Sequence, residues 1–126
     1  MTALNIAGTL KTPEIKFDPK EGVIEINGRS NPENSKQFFS PLLDNLEVYT
    51  EQPLDKTILN IKLEHFNTSS SKCIMDVLKK MKSILALEKE IEINWYYEED
   101  DEDMLEAGED YESIIRIPFK MIEVVD

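Results

Sequence analysis

One cysteine, Cys73, stands among 126 residues, so no intrachain disulfide can form and a small stapled secreted scaffold is excluded. Histidine is equally scarce, with His65 alone. Lacking a Cys/His pair, a zinc site would need carboxylates only. Glycine occurs four times, at Gly8, Gly22, Gly28 and Gly108, with no glycine-rich run to cradle a nucleotide phosphate. No stretch approaches the roughly 18 apolar residues of a membrane span. The N-terminal MTALNIAGTLKTPEIKF has no basic region followed by an apolar run, so no signal peptide is expected and a soluble, cytoplasmic protein is. Bases are outnumbered as well: 14 Lys and Arg against 26 Asp and Glu give a formal charge of −12. A polyanion would be approached against repulsion, which argues against nucleic acid and against docking on an anionic membrane surface.

What is present is one domain's length, 1–126, with 40% hydrophobic residues. Such a chain buries roughly two-thirds of its unfolded surface around a single core. The acidity is concentrated. Ten acids and no base fall in the fifteen positions from Glu98 to Glu112, leaving 16 acids against 14 bases elsewhere.

Glu14 to Phe17 reads as a short strand, Asp18-Pro19-Lys20-Glu21-Gly22 as a turn, and Gly22 to Asn27 as a second strand with Ile24 and Ile26 on one face. Together they predict a hairpin. Asn31 can cap a helix that has Pro32 at its first position, and Phe38, Phe39, Leu42, Leu43, Leu46 and Tyr49 recur at helical spacing. Pro41 falls inside that pattern and predicts a kink or a break. Lys56 to Phe66 alternates, with Leu59, Ile61 and Leu63 pointing one way. A second helix follows, carrying Ile74, Val77, Leu78, Met81 and Leu85 on its apolar face, with Cys73 beside the stripe as a small core or boundary residue. Glu90 to Tyr97 alternates again and buries Ile91, Ile93, Trp95 and Tyr97.

The acidic segment, anchored only by Met104, Leu105, Ala107 and Tyr111, predicts a third, poorly buried and solvent-facing helix that contributes to partner choice by charge. Ile114 to Val125 supplies one or two final strands around Pro118. Such alternation favours right-handed crossovers and a mixed, mostly parallel sheet. The fold class is α/β: a single-domain sandwich with an N-terminal hairpin at one sheet edge and helices packed on the sheet.

Few residues carry chemistry. Glu64, His65 and Ser69 are near one another in sequence, and a small acid/His-based hydrolase would need all three; strand neighbours, however, point to opposite faces. Asp100-Asp101-Glu102-Asp103 has calcium-like charge but lacks the glycine and the spaced ligands of an EF-hand loop. No metal, cofactor or catalytic residue is assigned. The hydroxyl run Thr68-Ser69-Ser70-Ser71 at a strand-to-helix junction is the exception. A helix start needs oxygens for its unpaired N–H groups, and Asn67 with one or two hydroxyls suffices. Four in a row admit a second reading, a phosphorylation site, because the first turn of a helix accommodates a phosphate and Lys72 could pair with it. The residues alone leave both readings open.

The segment Phe66-Asn67-Thr68-Ser69-Ser70-Ser71 resembles the SiaC family of bacterial regulatory phosphoproteins. So do Asn5-Ile6-Ala7-Gly8-Thr9 with Thr12-Pro13-Glu14, Pro32-Glu33-Asn34, Asn94-Trp95-Tyr96-Tyr97 and Asp101-Glu102-Asp103-Met104-Leu105-Glu106-Ala107-Gly108-Glu109. The likeness runs from end to end. It implies a STAS-like fold, as in anti-sigma-factor antagonists, and a non-enzymatic partner switch. In that family a protein kinase phosphorylates one threonine and a PP2C-type phosphatase reverses it. The unphosphorylated form activates a diguanylate cyclase, raising cyclic di-GMP and favouring biofilm. The threonine falls on Thr68, with Asn67, Ser69, Ser70, Ser71 and Lys72 as its loop and partner contact, and the free chain is expected to be monomeric. A STAS-type antagonist of an anti-sigma factor or other regulator is the alternative.

Overall fold

Three strands and then alternating helices and strands run along residues 2–125, the part of the chain that the computed structural model describes. The order is β1 (Leu4–Ile6), β2 (Glu14–Asp18), β3 (Val23–Ser30), α1 (Ser35–Tyr49), β4 (Lys56–Phe66), α2 (Thr68–Leu85), β5 (Glu90–Glu98), α3 (Glu102–Ile115) and β6 (Phe119–Val124). The six strands stand in the sheet in their sequence order. β1, β2 and β3 pair antiparallel, and β3 to β6 pair parallel. Each crossover from β3 onward advances the same way, so right-handed connections place all three helices on one face of the sheet. Ile15, Phe17, Ile24, Ile26, Leu59, Ile61, Ile93 and Trp95 are buried beneath them, against Phe39, Leu42 and Leu46 of α1 and Ile74, Val77, Leu78, Met81 and Ile84 of α2.

The opposite face mixes half-buried apolar residues such as Val23, Ile58 and Tyr96 with polar pairs. Asn94 Nδ2 donates to Asn60 Oδ1 at 2.8 Å and to Glu92 Oε2 at 3.0 Å, and Lys120 Nζ donates to Glu92 Oε1 at 3.0 Å. The Asn94 hydrogen bond, followed by Lys120, holds the Glu92 carboxyl down to about 2. Its contribution to stability is present above the ordinary carboxylate range and fades as pH falls toward 2.

Several expectations are corrected. The hairpin is flanked by β1, three residues long and too short to show a periodicity. α1 is capped by Asn34, whose side chain accepts from Gln37 N at 3.1 Å, not by Asn31. Asn31-Pro32-Glu33 is a lead-in instead. Pro41 does not break the helix; α1 runs through it, with the proline on the exposed side. On α2 the last core position is Ile84, fully buried, whereas Leu85 is 41% exposed. A single strand, β6, follows α3, and Ile114 and Ile115 belong to that helix.

The end of β4 is re-aimed by a bulge. Gly28 stands opposite Leu63 and Arg29 opposite His65, so Glu64 has no partner on β3; Gly28 takes φ +111°, a backbone that a side chain would strain. The inserted residue shifts the alternation. Phe66 turns toward the helices, its ring 6.3 Å from that of Trp95, and His65 is left exposed.

Candidate functional site

β3 and β4 end side by side, Ser30 opposite Phe66, and both chains then turn into helices. The N-termini of α1 and α2 therefore meet, and Asn67 ties them together. Its Oδ1 accepts from Ser70 N at 2.9 Å as the α2 cap, and its Nδ2 donates to Asn31 Oδ1 at 3.1 Å and to Pro32 O at 3.2 Å. Its backbone N–H donates to Ser30 O at 2.9 Å. Under this cap lies a cluster of hydroxyls. Ser70 Oγ is 2.7 Å from Ser30 Oγ and 3.2 Å from Ser35 Oγ, and Ser35 Oγ is 2.7 Å from Ser69 Oγ. Ser30, Ser35 and Ser70 are all buried, so these bonds satisfy groups that would otherwise be costly to bury.

The arrangement sorts the four hydroxyls of the run. Ser70 is fully buried. Ser69 is exposed, but its Oγ is shared between Ser35 and Asn67. Ser71 is half-buried and donates to Thr68 O at 2.6 Å. Thr68 is exposed, is the first residue of α2, and its Oγ1 makes no hydrogen bond among the described residues. Lys72 is exposed four residues on, on the same helix face as Thr68.

The SiaC family of regulatory phosphoproteins matches residues 6–124. This chain belongs to the SiaC family. An uncharacterised protein of Pseudomonas aeruginosa is 31% identical over 122 residues, covering 94% of each chain. The crystal structure of diguanylate cyclase SiaD in complex with its activator SiaC from Pseudomonas aeruginosa contains a chain similar to this one. It has a TM-score of 0.90 and 29% identity over 96% of this chain and 99% of that one. Apo-SiaC from the same organism gives a TM-score of 0.88 at 30% identity, covering 97% of this chain and 99% of that one. The mixed α/β architecture is thus that of SiaC structures.

In this member of the SiaC family, the acidic helix supports the turn from behind, which corrects the expectation of a poorly buried element. Met104, Tyr111 and Ile115 of α3 are buried. Trp95 Nε1 donates to Met104 O at 2.9 Å, and Tyr111 OH donates to Ser71 O, in the first turn of α2, at 2.8 Å. Asp101 is a structural cap, its side chain accepting from Met104 N at 3.0 Å. Burial pushes the Tyr111 hydroxyl up to about 12, with the Ser71 side chain pulling the other way. Because the folded value lies above the ordinary 10, the associated stability is present below pH 10 and is lost as pH rises toward 12. Tyr111→Phe is expected to cost about 1 kcal/mol, the net worth of one hydrogen bond. It should also flatten the alkaline loss in a pH series of thermal unfolding. An unchanged alkaline limb would show that Tyr111 does not set it.

The residues of the hydrolase reading are not assembled. Glu64 faces Arg29 at 3.7 Å, and Ser69 is held by Ser35 and Asn67. No hydrogen bond joins Glu64, His65 and Ser69 among the described residues. Glu64 and His65 line a recess of about 350 Å³ with Phe66, Asp101, Asp103, Met104 and Ala107. Among the described residues no group of three or more His, Cys, Asp or Glu is placed to hold a metal ion, and no helix is long and apolar enough to cross a membrane.

Sequence reasoning missed Ser30, Asn31 and Ser35 as members of this site. The available signal was the parallel register: two adjacent parallel strands that both lead into helices bring their helix starts together.

Proposed function

We propose that this protein is a phosphorylation-controlled partner switch in which Thr68 is the acceptor. Unphosphorylated, the α2 N-terminus binds and activates a diguanylate cyclase; phosphorylated, it does not. The observation that carries the reading is an exposed, unengaged hydroxyl at the first position of a helix whose cap and underlying serines are fully bonded. A phosphate there meets the positive end of the helix dipole and adds about −1.5 to −2 charges without disturbing a buried bond. The regulatory-phosphoprotein family supports the class of mechanism, and the complex of its SiaC relative with a diguanylate cyclase supports the kind of effector. A protein kinase and a PP2C-type phosphatase set the state of Thr68. The site is the whole of the machinery: the chain catalyses nothing itself and acts in the cytoplasm as a monomer when free.

The test is intact-mass and peptide mass spectrometry on protein from its own cells, beside a Thr68→Ala version, followed by cyclase assays with each form. One phosphate on Thr68, missing from the variant, together with cyclase turnover raised by the unphosphorylated form, is the expected result. A phosphate on Ser69 instead, none in any growth condition, or equal cyclase turnover with both forms would overturn the reading.

A further inference from the structure

We infer that the surface beside Thr68 is a basic and apolar docking rim, built for an effector surface that is acidic and carries an apolar socket. This rests on the switch reading and specifies its partner-facing chemistry. Leu10 is 91% exposed, the most exposed large apolar side chain among the described residues. Its backbone lies in a hydrogen-bonded turn. Thr9 Oγ1 accepts from Lys11 N at 3.2 Å and from Thr12 N at 3.0 Å, and lies 2.6 Å from Thr12 Oγ1, while Thr9 N donates to Thr12 O at 2.8 Å. A turn so cross-linked fixes the backbone that carries Leu10, leaving only its side chain to be ordered on binding, which favours an anchor contact.

The turn belongs to the switch surface. Asn31 N donates to Lys11 O at 2.6 Å, and Asn31 Oδ1 accepts from Asn67 Nδ2 at 3.1 Å. Two hydrogen bonds therefore lead from the backbone beside Leu10 to the residue preceding Thr68.

Charge supplies the second observation. The chain carries −12 overall, yet three exposed lysines surround this spot. Lys11 follows Leu10, Lys36 follows the Ser35 that touches Ser69, and Lys72 lies one turn beyond Thr68. None of them forms an ion pair among the described residues, which Lys20, Lys62, Lys79 and Lys82 share. What sets the three apart is their place around Thr68 and Leu10, while Lys16, Lys56, Lys80, Lys89 and Lys120 each have a carboxylate partner. Glu33 is the one acid in the lead-in to α1. On the far side of Phe66 the sign reverses, with Glu64, Asp101 and Asp103 around the recess. A partner acidic where it meets the lysines docks in one orientation only. A phosphate on Thr68, at about −1.5 to −2 charges, cancels about half to two-thirds of the charge of three lysines. The modification then removes the complementarity as well as adding an obstacle.

The test titrates the full-length unphosphorylated chain against the diguanylate cyclase of its own cells by calorimetry at low and high salt. Leu10→Ser is expected to weaken binding about tenfold or more with an unchanged melting midpoint. The triple variant Lys11→Gln, Lys36→Gln, Lys72→Gln should weaken binding at low salt and flatten the salt dependence. Leu87→Ser, 48% exposed beyond the other end of α2, is expected to bind like the parent. If the parent binds and the phosphorylated form does not, but the Leu10 and triple-lysine variants bind like the parent, this inference falls and the switch stands. If the parent itself does not bind the cyclase, both fall.

Discussion

Trp95→Ala is expected to destabilise the fold by about 4 kcal/mol, in the range found when large aromatic side chains are deleted from cores. Trp95 is fully buried on β5, and its ring lies 5.6 Å from Tyr111, 6.3 Å from Phe66 and 6.3 Å from Phe119. Deletion removes those contacts, leaves a cavity, and strips Met104 O of the bond that docks α3. Against a total stability of about 5–15 kcal/mol, that is a large share. Urea unfolding is the measurement; a loss under about 1 kcal/mol would mean that α3 collapses onto the sheet without its anchor.

The companion residue is Gly108. A Cβ added there would sit 2.5 Å from Trp95 Cδ1, so Gly108→Ala should destabilise even though alanine is better than glycine in a helix by about 1 kcal/mol. With Trp95→Ala in place the clash is gone, and the same substitution should become neutral or stabilising. The two changes should be strongly non-additive.

These residues also show where the sequence could be read and where it could not. Alternation along Lys56–Phe66 and Glu90–Glu98 declares strands because one face of each is buried and the other is not. The helical spacing of Ile74, Val77, Leu78 and Met81 declares α2 for the same reason. The burial of α3 has no such signal because its attachment is not made by a wide apolar stripe. It rests on a glycine flat against an indole, one indole N–H and one phenol O–H, none of which has a periodicity. His65 and Phe66 fall out of alternation because a bulge inserts Glu64, and a bulge depends on the neighbouring strand. The Asn31-Pro32 start signal was sound chemistry placed three residues early, since Asn34 offers the same cap. Tertiary structure employs Asn31 elsewhere, against Asn67. Within the site, the hydroxyl run was legible as a group. Which hydroxyl is free depends on Ser30 and Ser35, which lie more than thirty positions away in the chain.

On the proposed reading, phosphorylation of Thr68 is expected to weaken effector binding by about a hundredfold or more, since an uncompensated charge held in a contact costs about 3–5 kcal/mol and 1.4 kcal/mol is tenfold. The effect should depend on pH in a definite direction. The second ionisation of a phosphate lies near pH 6, so exclusion is strongest above that value and weakens as pH falls through it. Lys72 and the helix N-terminus favour the dianion and displace the transition to lower pH. Thr68→Glu carries one charge on a shorter arm and should exclude the effector less. Ser70→Ala separates the switch from its support. It leaves the buried Ser30 hydroxyl without its 2.7 Å partner, at an expected cost of about 1–3 kcal/mol of stability, while Thr68 stays exposed and binding at saturating fold is retained. Titrations of phosphorylated, Thr68→Glu and Ser70→Ala proteins between pH 5.5 and 8 decide the matter. Equal affinity for phosphorylated and unphosphorylated chains would sink the switch, and a loss of affinity with Ser70→Ala as large as with the phosphate would mean that the serine cluster beneath the cap, not the charge at Thr68, is what the partner reads.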